Sequence, residues 1–467
     1  MESKTHSGIT RLPVELIQHV CSFLRPTCVP GQHPYPCQKC ARRRPGCSNW
    51  YRGQIDVSRF SRTCKRLRDI VQPLVFLCCS EHGAQRFGQV RRLVRLARTL
   101  ISRPDLGQHM RFLMLCDVEP LESPSDRQFV QDSITNLGLP PVPDSWNTDG
   151  EPEYRLLPLE LVLAHTPNLT YLHLPLDYDW QLNLLSQLPA DKFSLHQLHT
   201  LEVFHYFIAG DRFDISMSAV ETILSAAPNL HSLSLPSPND NINLTAPLTN
   251  LRRLDLQESN YISPKCLTTL LASAPELEAL ALHWDALGDA YDDCDDRRVV
   301  DAWNAIEQRK DSLRELRLDI RSDTELGEGE RDGLKDFERL EVLKVDGRSL
   351  SVLRAAWKRR NRHAKMDSFL SAFFPPDIRE VTLWDLDGVE MYEAMTRFAR
   401  VVAVRRYPKL ETVLLAPREA LSKRHEFDEW HNLLEWPAIE DELEGEFSKG
   451  GVRFKLSYKI QGWCGLE

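Results

Sequence analysis

The chain contains no stretch of about 18 consecutive apolar residues, so no ordinary membrane-spanning helix is expected. Its opening residues, polar and acidic up to Gly8, lack the apolar core of a signal peptide. The usual marks of catalysis are missing as well. There is no Gly-rich phosphate loop and no nucleophile elbow, and the 15 histidines are scattered without a paired His-Glu-x-x-His spacing. These absences lead to the expectation of a non-enzymatic intracellular protein, in cytoplasm or nucleus, with no membrane association.

What is present is length and uneven charge. At 467 residues the chain exceeds what one compact core usually holds, which leaves several domains or one elongated array. The net charge of -9 hides a split: residues 1–115 carry 20 Lys and Arg against 6 Asp and Glu, and the remainder carries 38 against 61. Basic clusters attract phosphate. Yet Arg91, Arg92, Arg95 and Arg98 recur at helical spacing around Leu93, Val94 and Leu96, which suits a solvated helix face, and no nucleic-acid recognition motif accompanies them. An acidic protein partner for the basic head is therefore expected. Eight of the twelve cysteines fall before residue 80, and Cys21, Cys64, Cys78 and Cys79 suit reduced core thiols.

A pattern recurs nine times between Leu169 and Leu415: an aliphatic residue, two variable residues, an aliphatic, one variable residue and a third aliphatic. The copies begin at Leu169, Leu198, Leu230, Leu251, Leu277, Leu313, Leu340, Ile378 and Leu410, and Met110/Leu113/Leu115 is a candidate tenth. On a strand, the second and third aliphatics share one face, and the residues between them face the other way. Apolar runs of helical spacing precede many copies and stop at Pro167, Pro228 and Pro275, while Pro376 and Pro408 stand two residues ahead of Ile378 and Leu410. Proline closes a helix and favours an extended residue before it. Each unit thus reads as helix, proline, strand. The starting residues step by 21 to 38 positions, which brackets the leucine-rich-repeat period irregularly, and no asparagine ladder follows the third aliphatic.

Stacked units of this kind share one continuous core, with strands on the concave side and helices outside. The predicted fold is an α/β solenoid, in which an irregular leucine-rich-repeat horseshoe follows a small helical N-terminal module. Strand parity leaves one face free, and aromatic and arginine residues on such a face are common interface anchors. The expected docking residues for a target protein are Tyr171, His173, Phe204, Arg253, His283, Arg317 and Trp384. Val452, Phe454, Leu456 and Tyr458 alternate with polar residues and predict a closing strand. The acidic stretches from Asp285 to Asp296 and from Glu440 to Glu446 read as solvated loop and helix.

Residues 9–24 form a helix signal: Thr10 is a candidate cap, Pro13 stands near the first turn, Glu15 favours the positive end of the dipole, and Leu16, Ile17, Val20, Phe23 and Leu24 form an apolar stripe. This segment, Leu12-Pro13-Val14-Glu15-Leu16-Ile17, resembles the start of an F-box, and residues 56–68 match the family's second half in order, with Leu67 in place of the usual aromatic. The resemblance covers about 60 residues. It implies a substrate receptor of Skp-cullin-F-box ubiquitin ligases, and it assigns Leu12, Pro13, Leu16, Ile17, Val20 and Leu24 to the interface with the Skp adaptor. The alternative is a leucine-rich-repeat scaffold outside any ligase, associated with nucleic acid through its basic N-terminal region.

Between the two halves stands an insertion, residues 25–55, that holds Cys28, Cys37, Cys40 and Cys47. Cys37-Gln38-Lys39-Cys40 has the spacing that lets two thiolates grip a tetrahedral zinc, and Cys28 and Cys47 are available to complete the set. The outer spacings fit no standard finger, so a loop of reduced thiols stands beside zinc as a reading. The domain boundaries that follow are 9–80 for the helical module, 81–117 for a connecting helix and candidate first repeat, 118–157 for a Pro-rich loop, and 158–467 for repeats with a C-terminal cap.

Overall fold

The computed structural model describes residues 12–24, 56–80, 90–115, 123–142, 156–176, 181–189, 192–204, 217–236, 244, 247–259, 262, 264–285, 296–321, 334–347, 349–350, 373–386, 388–403, 407–417 and 436–456. The chain divides into two compact units, Met1–Leu233 and Ser234–Leu466. The first unit contains α1 (Val14–Leu24), α2 (Lys65–Val75), β1 (Cys78–Ser80), α3 (Val90–Ser102), α4 (Pro104–Gly107), β2 (Phe112–Met114), α5 (Pro124–Asn136), α6 (Leu157–Ala164), β3 (Tyr171–Pro175), α7 (Asn183–Gln187), β4 (Thr200–Phe204) and α8 (Met217–Ala226). The boundary falls within β5 (Ser232–Pro236). The second unit contains β6 (Arg253–Ser259), α9 (Pro264–Ser273), β7 (Ala279–Asp285), α10 (Asp296–Glu307), β8 (Glu315–Arg321), β9 (Val342–Asp346), β10 (Glu380–Leu386), α11 (Gly388–Ala403), β11 (Thr412–Pro417), α12 (Trp436–Lys449) and β12 (Arg453–Leu456).

In all nine triplets the second and third aliphatics fall on strands β3 to β11 and the first stands just before, Leu113 of the tenth falls on β2, and none of their aliphatics is more than 5% exposed. The strands are parallel and follow chain order, from β1 to β4 in the first unit and from β6 to β12 in the second. Register aligns like with like. Leu254, Leu280, Leu316, Leu343, Val381 and Val413 form one buried row, and Leu256, Leu282, Leu318, Val345, Leu383 and Leu415 form the next. Parallel pairing demands a crossover between strands, and the alternation of helix and strand supplies it. This is the α/β architecture that the repeats predict.

The turn before each strand is also repeated. Leu169, Leu230, Leu277, Ile378 and Leu410 each donate their backbone N–H to the carbonyl three residues back. Helices α6, α8 and α9 end just before Pro167, Pro228 and Pro275, as the missing proline donor requires. Asn168 and Asn229, in the two Pro-Asn-Leu copies, donate through their side-chain amides to the carbonyls of Gln108 and His196, and so stitch neighbouring repeats together. Leu316 sits at the centre of the second unit's leucine row and is fully buried. Its replacement by alanine is expected to cost about 3 kcal/mol through lost transfer energy and a residual cavity. A urea unfolding midpoint that does not move would contradict the buried row.

A charge ladder runs through the second unit. Arg252, Glu278, Arg314, Glu341, Arg379, Glu411 and Arg453 precede or open successive strands, and each donates its backbone N–H to the carbonyl of the residue before it in this series. Their side chains alternate in sign, with ion pairs of Arg252 to Glu278 at 2.6 Å, Arg314 to Glu341 at 3.9 Å and Arg379 to Glu341 at 3.6 Å. Each exposed pair is worth little alone, but opposite charges in register favour this strand order, and like charges oppose it. The Glu341→Lys variant would set three cations in a row. Its expected cost is about 1 kcal/mol at low ionic strength, shrinking in 1 M salt. A loss of stability that is independent of salt would show that packing, not charge, is responsible.

Two local expectations are corrected. The stretch 118–157 was expected to be a loop, yet it contains α5, with Pro124 at its first turn and Gly138 just beyond its end at φ 76°. Proline is tolerated at a helix start, and glycine takes the left-handed turn that ends one. Arg98 of α3 ties α5 down by pairing with Asp126 at 2.8 Å and lying 4.7 Å from the Phe129 ring. In addition, the stretch 9–80, expected to be a helical module, ends in a short strand, β1. Gly107 is fixed by close approach, since a Cβ there would lie 2.0 Å from the His165 carbonyl oxygen.

Candidate docking surfaces

The N-terminal module is built from α1, the helical residues 56–61 and α2. Its core gathers Ile17, Cys21, Val57, Leu67 and Val71, with Leu12, Phe60, Cys64, Ile70, Leu74 and Val75 around it. Cys64 caps α2 by accepting from the Leu67 N–H through Sγ, and the Arg66 guanidinium donates to the Leu12 carbonyl at 3.1 Å. Ile17 and Cys21, one turn apart, form the inner face of α1. Its outer face is apolar too, with Leu16 at 48%, Val20 at 37% and Phe23 at 75% exposure, and Val14, on the other flank of the helix, is 39% exposed. Among the described residues these are the exposed large hydrophobics. Beside them stand the exposed cations Arg59, Arg62, Lys65, Arg66 and Arg68.

Of the residues assigned to an adaptor interface, Pro13, Leu16 and Val20 are exposed on α1 or its approach. Ile17 is given over to the module's own core, and Leu12 is half-buried against that core. Leu24 ends α1, and its side chain lies outside the described set. Val14 and Phe23 belong with the exposed group. Cys28, Cys37, Cys40 and Cys47 lie outside the described residues, as does most of the acidic stretch from Asp285 to Asp296. Among the described residues no cluster of three or more metal-ligating side chains occurs, and no helix is long and apolar enough to cross a membrane.

On the sheet face of the second unit, the residues between the buried aliphatics form a network. Glu315 on β8 accepts from Arg253 at 3.1 Å and from Lys344 at 2.9 Å, so Arg253 reaches across small Ala279 on the strand between. His283 and Asp319, side by side on β7 and β8 and both buried, join through Nδ1 and Oδ2 at 2.8 Å. The Arg317 guanidinium lies 5.5 Å from the Trp384 ring, and Trp384 packs with Ala416 and Leu414. Asp346 accepts from both the backbone N–H and the hydroxyl of Ser349. The structure therefore gathers Arg253, His283, Arg317 and Trp384 on one face, with all four tied to neighbours.

The first unit carries the other three expected docking residues. His173 pairs with Glu202 in register across β3 and β4, its ring stacked on Phe204 with centroids 4.3 Å apart. Tyr171, largely buried, donates its hydroxyl to Glu202 at 2.5 Å. Burial, the Glu202 charge and the hydrogen bond to it push the Tyr171 hydroxyl well above its ordinary value. Strand parity puts Glu202, Glu315, Lys344 and Asp319 on the same face, but selection by aromatic and arginine character passes over the charged groups that orient the docking residues.

Glu160 was missed altogether. It sits in α6, whose other residues are apolar and nearly all buried, and one of its oxygens accepts the Leu185 N–H of α7 at 2.8 Å. Among the described residues the other oxygen, buried as well, has no hydrogen-bond partner. A lone acid within Leu-Pro-Leu-Glu-Leu-Val-Leu-Ala was the available signal. No family model matches the chain, and no curated protein sequence matches it.

Proposed function

We propose that this chain is the substrate-recognition subunit of a Skp-cullin-F-box ubiquitin ligase. In this reading the N-terminal module is an F-box that docks the Skp adaptor through α1, the adaptor links it to a cullin, and irregular leucine-rich repeats arranged as a horseshoe hold a target protein. The observation that carries the reading is the outer face of α1, where Leu16, Val20 and Phe23 stand exposed together after the module has already filled its own core with Ile17 and Cys21. An apolar group of this kind on a small polar-rimmed module marks a protein interface. The cations of residues 59–68 then steer an acidic partner, acting more on association rate than on affinity.

The chain itself performs no chemistry in this scheme. It raises the effective concentration of a target lysine near a ubiquitin-conjugating enzyme held on the same scaffold. The polar network on the sheet face suits such holding, because its arginines and aromatics are fixed in place before a target arrives, which lowers the entropy cost of binding. Affinity purification of the full chain from cells tests the assembly. Co-purification of a Skp adaptor and a cullin is the expected result. Salt-sensitive nucleic-acid binding with neither partner would favour the scaffold alternative and contradict the proposal.

A further inference from the structure

The polar side chains of the two sheet faces differ in one respect. Glu315, in the second unit, is held between two cations of its own chain, Arg253 and Lys344. Glu202, in the first unit, has no such neutralisation. Its Oε2 receives the Tyr171 hydroxyl and pairs with His173 Nδ1 at 3.2 Å, and among the described residues no lysine or arginine reaches it. Its side chain is 40% exposed, so the carboxylate is fixed in direction yet open to solvent. Beside it on the same face, the His173 and Phe204 rings are stacked 22° from parallel, and Phe112 and Tyr171 lie 6.4 Å apart on the adjoining strands. Aromatic faces next to an oriented, uncompensated carboxylate attract a cation that carries an apolar stem.

We propose that this corner of the first unit binds a basic side chain, lysine or arginine, of the target protein, with the cationic head on Glu202 and the aliphatic stem along Phe204. The proposal rests on the reading that the sheet face holds a target, and it names the chemistry of the segment recognised there. The Tyr171 hydroxyl and His173 act as positioning groups, since both contact Oε2 of the carboxylate and neither bonds Oε1. The strands fix this geometry: the register of Tyr171 with Thr200, His173 with Glu202 and Pro175 with Phe204 brings the four side chains together.

The test uses the full-length chain and butylguanidinium as a probe for an arginine side chain, with butylurea as its neutral counterpart of the same shape, both followed by saturation-transfer NMR. Butylguanidinium is expected to bind about tenfold more tightly than butylurea, and Glu202→Gln should remove that difference. Phe204→Ala should weaken both probes severalfold, because it removes the surface for the stem. Glu444→Gln, which deletes an exposed negative charge on α12, should leave binding unchanged and so controls for net charge. Equal binding of the two probes to the wild type, or an unchanged preference in Glu202→Gln, would overturn the proposal. Thermal unfolding of each variant separates loss of the site from loss of the fold. Adaptor capture by Glu202→Gln should match the wild type. A wild-type chain that binds the probe as described but captures no adaptor would sink the ligase reading and leave this site standing.

Discussion

The double variant Leu16→Asp/Val20→Asp is expected to lose about three orders of magnitude in affinity for a Skp adaptor, measured by titration of the purified full chain, while its thermal unfolding stays close to wild type. The two residues are one turn apart on the outer face of α1 and do not belong to the module's core, so carboxylates there remain in water in the free protein. On docking, each would have to be desolvated against an apolar partner surface, at a cost of about 2 kcal/mol or more per group, and the three orders of magnitude equal about 4 kcal/mol. Ile17→Asp should behave differently. It buries a charge inside the module and is expected to unfold residues 12–24 and 56–75, so loss of adaptor binding there would carry no information about the interface. Unaltered adaptor affinity in the double variant would remove α1 from the account.

A second large effect comes from Glu160. Burial pushes its carboxyl up to about 8, against an ordinary value of 4.5, and the backbone N–H groups of Leu185 and Leu184 offset only part of that rise. Below pH 4.5 the folded and unfolded chains both hold the proton, and Glu160 contributes no pH dependence. Between 4.5 and 8 the unfolded chain gives up the proton while the folded one keeps it, so stability falls as pH rises, by about 1.4 kcal/mol per unit. Above 8 both forms are ionised, and the full penalty, on the order of 5 kcal/mol, remains. Glu160→Gln keeps an oxygen for the Leu185 N–H and has no charge to bury. Relative to wild type it should gain several kcal/mol between pH 5 and pH 8.5, read from urea unfolding at both values. A difference between the two proteins that does not change with pH would mean that the carboxyl is not held neutral by the fold.

Much of the architecture was written in spacing. The triplets fixed which residues line the buried rows, because a period of two admits only one inward set once a face is buried. The prolines located the helix ends, since their effect is local and steric. The charge ladder from Arg252 to Arg453 was not legible. It appears only when irregularly spaced repeats are set in register, which the leucine rows decide and the sequence interval does not. The Pro-rich stretch from 118 to 157 misled for a related reason: proline marks a break when read by composition, but at Ser123-Pro124 it stands at the one helix position that tolerates it.

The same limit appears in the N-terminal module. Leu16, Ile17, Val20, Phe23 and Leu24 read as a single apolar stripe, yet the helix has two adjoining apolar faces. Ile17 and Cys21 point inward, whereas Leu16, Val20 and Phe23 point outward. Periodicity identifies apolar residues on a helix but not which of two neighbouring stripes a small core will claim; that depends on where residues 57, 67 and 71 arrive in space. Glu202 was hidden by a different cause. Its importance lies in the lack of a lysine or arginine beside it among the described residues, which becomes visible only when its neighbours on β3 and β4 are known.

Hydrogen exchange of the full chain, followed by mass spectrometry with and without purified Skp adaptor, tests the central claim most directly. The account predicts strong new protection across residues 12–24 and 56–75, and no change in the strands β6 to β12. Protection confined to the repeats, or no protection of α1 at adaptor concentrations that saturate a known receptor, would contradict it.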